Sequence, residues 1–280
     1  MAEATGGEAR VDRYAVMGNP IAHSRSPEIH RRFAEQTGEA IRYERILVPE
    51  GGFAGAVAEF EAAGGAGLNV TVPFKGDAWA LADTLSDRAE RARAVNTLII
   101  SDAGLYGDNT DGIGLVRDLR DNHGVTLAGA RVLILGAGGA ARGALPSLLE
   151  EAPASVHVAN RTAERARELA AAFADLGTVT GSGYETLAEM RFDVVINATS
   201  AGLTGELPPL PDTLLAPGAC CYDMVYADEL TAFVRWARTH GAAVAADGLG
   251  MLVEQAAESF FLWRGHRPRT APVIEALRGA

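Results

Sequence analysis

Among 25 basic residues there is a single lysine, Lys75, which closes the stretch NVTVPFK (69–75). Arginine serves every other cationic position, so a surviving lysine points to a task that arginine cannot do. Arginine keeps its proton at any working pH, whereas a lysine can be tuned by burial and neighbours until it gives and takes one. Proton donation is the chemistry that fits. The plainer reading is a chance remnant of an arginine-rich composition.

A second chemical signature lies downstream. Gly136, Gly138 and Gly139 follow the apolar run VLIL and open a helix-forming stretch. That is the context a dinucleotide-binding turn requires. Gly136 permits the tight turn, Gly138 lets the backbone approach a pyrophosphate, and Ala141 is small enough for close helix–strand packing. The helix start then offers free N–H groups to phosphate. The next strand ends in Asn160-Arg161-Thr162, with Arg165 one turn on. An NAD site carries an acid there for the ribose 2′-hydroxyl. Two guanidiniums and two small polar groups suit a 2′-phosphate instead, which favours NADP. The alternative is a solvated helix start capped by Thr162.

The elements that must hold these groups alternate strand and helix. Strands are expected at 13–18, 41–48, 67–73 and 95–101, and helices at 26–38, 52–64 and about 76–92. Ser26 would cap the first helix, with Pro27 next and Gly38 at its stop. After the loop GDNTDG (107–112) come a helix at 112–124, strand, turn and helix over 130–151, a strand at 155–161 and a helix at 163–175. Strands at 192–200, 218–226 and 242–248 follow, with helices at 231–241, 250–265 and after Pro272. Repeated βα alternation with apolar strands predicts an α/β protein with parallel sheets covered on both faces.

With 280 residues, 48% of them hydrophobic, the chain has room for one large domain or two ordinary ones. A net charge of −11 argues against nucleic acid as a partner. No apolar run approaches a membrane span. Residues 1–10 are expected to be a disordered tail without a signal peptide's apolar core. Cys220 and Cys221 are adjacent in an apolar run, which predicts buried, reduced thiols and a cytoplasmic setting. There is no metal-ligand spacing, and none is called for.

Several motifs together resemble the shikimate dehydrogenase family. They are GNPIAHSRSP (18–27), NVTVPFK (69–75), AVNTL (94–98), GDNTDG (107–112), GAGGAAR (136–142), NRT (160–162), NATSAG (197–202), YDMVY (222–226) and DGLGMLVEQA (247–256). They occur in that family's order over most of the chain. The resemblance implies NADPH-dependent reduction of 3-dehydroshikimate to shikimate, on the route to aromatic amino acids. It also implies two α/β domains. A substrate domain, 11–111 completed by the C-terminal helices of 248–280, would enclose an inserted Rossmann NADP-binding domain, 112–247, with the active site in the cleft between them.

By the same resemblance Lys75 and Asp111 are the catalytic pair, and Ser24, Ser26, Asn69, Thr71, Asn96, Tyr226 and Gln255 meet the substrate. Gly136, Ala137, Gly138, Gly139, Ala140, Asn160, Arg161, Thr162, Arg165, Thr199, Met224 and Gly248 meet the cofactor, and Asp87 stands where relatives can carry a longer acid near it. Arg93 precedes AVNTL where glycine is expected. A ring carrying a carboxylate, hydroxyls and a ketone suits such a set. Ser24, Ser26 and Tyr226 can donate to the carboxylate, and the amides and Thr71 can pair with hydroxyls. Each also has an ordinary use: Ser26 as a helix cap, Asn69 and Thr71 satisfying backbone, Asn96 or Asp111 holding a turn, Tyr226 and Gln255 as half-buried residues. His23 is expected to be structural. The rivals are an NAD-dependent quinate/shikimate enzyme and a non-catalytic shikimate-binding paralogue. Quinate-preferring relatives tend to carry threonine at the place of Ser26. A homodimer is left open.

Overall fold

A computed structural model describes residues 11–199 and 206–279. The proposed N-terminal tail and the second half of NATSAG lie outside the described residues. Apolar strands gather into two six-stranded sheets. The first contains β1 (Asp12–Gly18), β2 (Ile41–Leu47), β3 (Gly65–Val70), β4 (Thr84–Leu85), β5 (Thr97–Ser101) and β6 (Gly104–Asp108), in the order β2-β1-β3-β5-β6-β4. The second contains β7 (Arg131–Leu135), β8 (Ser155–Ala159), β9 (Val179–Ser182), β10 (Phe192–Asn197), β11 (Leu215–Asp223) and β12 (Val244–Ala246), in the order β12-β11-β10-β7-β8-β9.

Every pairing in the second sheet is parallel. Its order is that of a doubly wound dinucleotide-binding sheet, with the switch point between β7 and β10. The first sheet departs from expectation. β5 runs antiparallel to both β3 and β6. The chain reverses over Asp102–Gly104, where Gly104 takes φ +103°. The expected single helix over 76–92 is two short ones, α3 (Lys75–Leu81) and α4 (Asp87–Ala92), with β4 between them. Ser86 starts α4 afresh, its hydroxyl accepting from the Ala89 N–H at 3.1 Å. The 112–124 helix is α5 (Asp111–Arg117) followed by a π-helical turn at Asp118–Asn122.

The remaining helices are α1 (Ser26–Thr37), α2 (Phe53–Ala62), α6 (Gly139–Glu150), α7 (Ala163–Ala171), α8 (Ala232–Thr239), α9 (Leu249–Arg264) and α10 (Ala271–Arg278). The chain's last helices return to its first sheet. Val253, Ala256 and Phe260 of α9 share a core with Ile29 and Phe33 of α1 and with Val273 and Leu277 of α10. Trp263 stacks on Tyr14 of β1 and donates its indole N–H to the Leu98 carbonyl at 3.0 Å. Leu115 and Val116 of α5 instead join β7, β8, β10 and α6 in the core of the second sheet. Cys220 and Cys221 are free and buried, and burial pushes the Cys220 thiol up to about 12. No helix among the described residues is long and apolar enough to cross a membrane.

Arg93 shows why glycine is expected before AVNTL. It ends α4 in the left-handed conformation at φ +49°, with its N–H turned back to the Ala89 and Glu90 carbonyls. A side chain there costs roughly 1 kcal/mol more than glycine. Arg93→Gly should therefore raise the melting temperature by about 2 °C or more. A thermal melt that moved down instead would show that the arginine side chain stabilises more than its backbone costs.

Candidate active site

A cleft of about 350 Å³ opens where the C-terminal ends of β1 and β3 face the segments after β11 and β12. Its wall brings together Ser24, Ser26, Asn69, Thr71, Lys75, Asn96, Asp111, Tyr226 and Gln255, with Met224 and Gly248 at the boundary toward the second sheet. Lys75 is the first residue of α3. Phe74 before it is buried and stacks on Phe53, and the Lys75 carbonyl accepts from the Val95 N–H at 2.9 Å. The backbone is thus pinned on both sides, and the side chain reaches Asp111: Nζ lies 2.6 Å from Oδ2. The lysine side chain remains 30% exposed and that of Asp111 13%. The pair is partly desolvated yet open to a ligand.

Asp111 has a second partner. Its Oδ1 accepts from Asn96 Nδ2 at 2.8 Å, which also donates to the Thr110 hydroxyl at 2.9 Å. Asn96 Oδ1 accepts from the Thr110 N–H at 2.9 Å. The Asn96 amide therefore holds Asp111 rather than standing free for a ligand. Asn69 is more completely engaged. Its Oδ1 accepts from the Tyr43 hydroxyl at 2.7 Å and faces His30 Nε2 at 3.2 Å. Its two amide hydrogens meet Asn96 O, Thr97 Oγ1 and Ser259 Oγ at 3.2, 3.2 and 3.0 Å. Asn69 lines the cleft, and its polar atoms already have protein partners, which are side chains except for the Asn96 carbonyl.

Hydroxyls are the free groups. Ser26 is not a cap: Arg25 is the cap residue, with no side-chain bond. Ser24 Oγ accepts from the Ser26 N–H at 3.3 Å and lies 3.2 Å from its hydroxyl. Among the described residues the Thr71 and Tyr226 hydroxyls have no hydrogen-bond partner, and burial raises the phenol of Tyr226, keeping it a neutral donor. Gln255 donates one amide hydrogen to Leu252 O at 2.7 Å and keeps the other. His23 lines the cleft but is exposed, which departs from a structural histidine.

Behind this wall lies a layer that the motifs leave unnamed. Burial drives His30 down to about 3, so the ring is neutral and its proton sits on Nε2, toward the Asn69 carbonyl oxygen. His30 stacks on Tyr43 at 4.2 Å. Ser259 Oγ meets Thr97 Oγ1 at 2.7 Å and Thr110 Oγ1 at 3.3 Å. Ser259 lies one helical turn beyond Gln255, and Thr110 abuts Asp111; helix spacing and adjacency were the available signals.

The nucleotide elements lie at the C-terminal edge of the second sheet. Gly136 takes φ +101°, and a Cβ there would come 3.1 Å from the Ala198 carbonyl and 3.2 Å from Thr199 Cγ2. Gly138 caps α6 without a side chain, and nothing lies within 4 Å of a Cβ built on Gly138 or Gly139. Gly138, Gly139 and Ala140 are exposed, so the first N–H groups of α6 face open space that a phosphate can fill. Ala141 is fully buried against the sheet. Arg161 and Arg165 are exposed beyond β8, without a carboxylate partner among the described residues. Thr162 precedes α7 but makes no side-chain cap bond, and Asn160 Nδ2 donates to Thr162 O at 3.0 Å. Thr199 Oγ1 donates to Asn197 at 2.7 Å. These residues fit a 2′-phosphorylated dinucleotide. Asp87 does not join them. It lines a separate hollow with Pro146, Leu149 and Leu176, about two turns down α6 from the glycine turn.

Comparison with known proteins agrees with this geometry. Residues 16–98 match the family described as shikimate dehydrogenase substrate binding domain, residues 118–204 that of shikimate/quinate 5-dehydrogenase, and residues 248–278 the shikimate 5′-dehydrogenase C-terminal domain. The chain is 67% identical to the shikimate dehydrogenase (NADP(+)) of Alkalilimnicola ehrlichii over 95% of its length and 98% of that protein. It is 62% identical to that of Halorhodospira halophila, again over 95% and 98%. The crystal structure of the Thermus thermophilus shikimate 5-dehydrogenase in complex with NADP(H) and shikimate superposes with a TM-score of 0.86 at 36% identity, covering 96% of this chain and 99% of that one. The chain belongs to the shikimate dehydrogenase family.

Proposed function

We propose that the chain reduces 3-dehydroshikimate to shikimate with NADPH, reversibly, as a step in making aromatic amino acids. The observation that carries the reading is the Lys75–Asp111 pair at 2.6 Å, set in a cleft with the hydroxyls of Ser24, Ser26, Thr71 and Tyr226 and one free amide hydrogen of Gln255. NADPH supplies the hydride. As the ketone carbon receives it, negative charge grows on the oxygen. Lys75 stabilises that charge and delivers the proton. Asp111 keeps the ammonium aimed and accepts a bond from a neighbouring ring hydroxyl. Ser24, Ser26 and Tyr226 donate to the substrate carboxylate. Thr71 and the remaining hydrogen of Gln255 take ring hydroxyls, and Asn96 and Asn69 hold the frame. Arg161, Arg165, Asn160 and Thr162 take the 2′-phosphate, and the α6 N-terminus the pyrophosphate.

In this reading 11–111 with 248–280 is the substrate domain, supported by the packing of α9 and α10 on α1. The inserted 112–247 is the NADP domain, supported by the all-parallel sheet. Two buried thiols that form no bridge support a cytoplasmic enzyme. A homodimer is compatible with it.

Consumption of NADPH with 3-dehydroshikimate tests the activity. Turnover with quinate and NAD alone would replace the substrate, and binding without turnover would leave a shikimate sensor. Ser26→Thr tests the substrate assignment more finely. Ser26 donates no cap bond and faces the cleft, and quinate bears an extra hydroxyl on the carbon that carries its carboxylate. Wild type should strongly prefer shikimate over quinate in kcat/KM. The added methyl should shrink that preference by about 10-fold, since one methyl alters discrimination by roughly 10–200-fold. A selective wild type with an unchanged mutant would remove Ser26 from the carboxylate site.

A further inference from the structure

The end of β6 and the two-residue loop after it deliver Asp111 to the cleft, and the three residues before Asp111 are almost inaccessible: Asp108 is 1% exposed, Asn109 2% and Thr110 0%. A carboxylate as buried as that of Asp108 needs a counter-charge. Arg88 supplies it with two bonds, Nε to Oδ1 at 2.7 Å and Nη2 to Oδ2 at 2.5 Å. The Ser86 hydroxyl donates to the same Oδ1 at 2.5 Å, and so does the backbone N–H of Asn109 at 2.7 Å. The guanidinium also lies 3.7 Å from Glu258 of α9, a carboxylate held by Arg117 and Arg267. Asn109 thus begins from a fixed backbone.

The Asn109 side chain has two partners of opposite kind. Its Oδ1 accepts the backbone N–H of Asp111 at 3.1 Å, and its Nδ2 donates to the Ala94 carbonyl at 3.0 Å. A donor on one side and an acceptor on the other leave one orientation for the amide. Gly143 of α6 closes the space behind it: a Cβ there would lie 3.4 Å from Nδ2. The side chain is therefore clamped between the start of the AVNTL segment and α6. Its one contact toward the chemistry is the N–H of Asp111. Asn109 is not among the residues lining the cleft, so it does not touch substrate.

We propose that Asn109 is a positioning residue for Asp111, fixing the backbone from which that carboxylate meets Lys75; this rests on reading Lys75 and Asp111 as the catalytic pair. Asn96 holds the carboxylate itself at Oδ1, and Asn109 holds the main chain that carries it. Without the bond the Asp111 N–H loses its acceptor at the first residue of α5, and the carboxylate is free to drift from Lys75. Misplacement by about 1 Å in such an array can cost 10²-fold.

Serine and alanine at position 109 separate this from a structural role. Both lose the bond to Ala94 and leave a similar void, but a serine hydroxyl can still accept from the N–H two residues on. Asn109→Ser should keep kcat within about threefold of wild type, and Asn109→Ala should lower it about tenfold, the scale of one hydrogen bond. The two should melt together and bind NADPH alike. The pH profile of kcat should shift in the alanine variant and not in the serine one. Equal kcat and equal pH profiles for the two would overturn the proposal. If the alanine variant does not fold, cysteine takes its place, having nearly serine's shape but a weak acceptor. Lys75→Ala is the control. If it stays active, the catalytic reading fails; if it is inactive while the position 109 variants are equal, only the positioning role fails.

Discussion

Lys75→Arg should lower kcat by about 10²–10⁴-fold, nearly as much as Lys75→Ala, because general acid–base groups contribute on that scale. The geometry makes the arginine variant the informative one. Nζ lies 2.6 Å from Asp111 in a partly exposed site, so a guanidinium can take up the same ion pair and keep the same charge. What it cannot do is release a proton to a forming alkoxide at working pH. Arginine at position 75 therefore keeps the electrostatics and removes the acid. Steady-state kinetics with a melt and an NADPH-binding titration as controls decide the matter. Binding and melting should be near wild type in both variants. An arginine variant retaining more than about a tenth of wild-type kcat would mean that charge alone does the work and that water is the acid.

Groups within one motif were legible because local chemistry and local geometry coincide there. The turn at Gly136–Gly139 needs a positive φ and an open helix start, and glycine is the residue that supplies both. The expectation of glycine before AVNTL was sound about the backbone, since Arg93 is left-handed there, although this chain fills the position with a side chain. What sequence spacing could not show is how a polar group divides its bonds. Asn69 and Asn96 are of the right type, in the right place, and line the cleft. Yet their amides are committed to Tyr43, Thr97, Ser259, Thr110 and Asp111, partners that come from distant segments. Spacing could not show where Asp87 faces either. Asp87 lies on a hollow beside α6 that Arg88 also lines, and the Arg88 guanidinium extends from there to Asp108, under the loop that carries Asp111. The antiparallel β5–β6 pair was hidden because GLYGD is too glycine-rich and too short to signal a strand.

Arg161→Ala should raise the KM for NADPH by about 10–150-fold, the cost of one charge-assisted bond, and change that for NADH by less than about twofold. Arg161 is exposed at the end of β8, and no carboxylate among the described residues neutralises it or Arg165. Two exposed guanidiniums at this end of the strand can both bond a 2′-phosphate. Thr162 beside them makes no cap bond, so its hydroxyl is available to the same phosphate. Because Arg161 is exposed in the free protein, its attraction for the phosphate is screened by salt. The wild-type KM for NADPH should therefore rise with ionic strength more steeply than that of the alanine variant. Equal losses with NADPH and NADH would point instead to damage near Tyr184, which lies against Arg161. A melt separates the two: a cofactor contact leaves the unliganded protein's melting temperature unmoved, whereas loss of packing lowers it before any nucleotide is added.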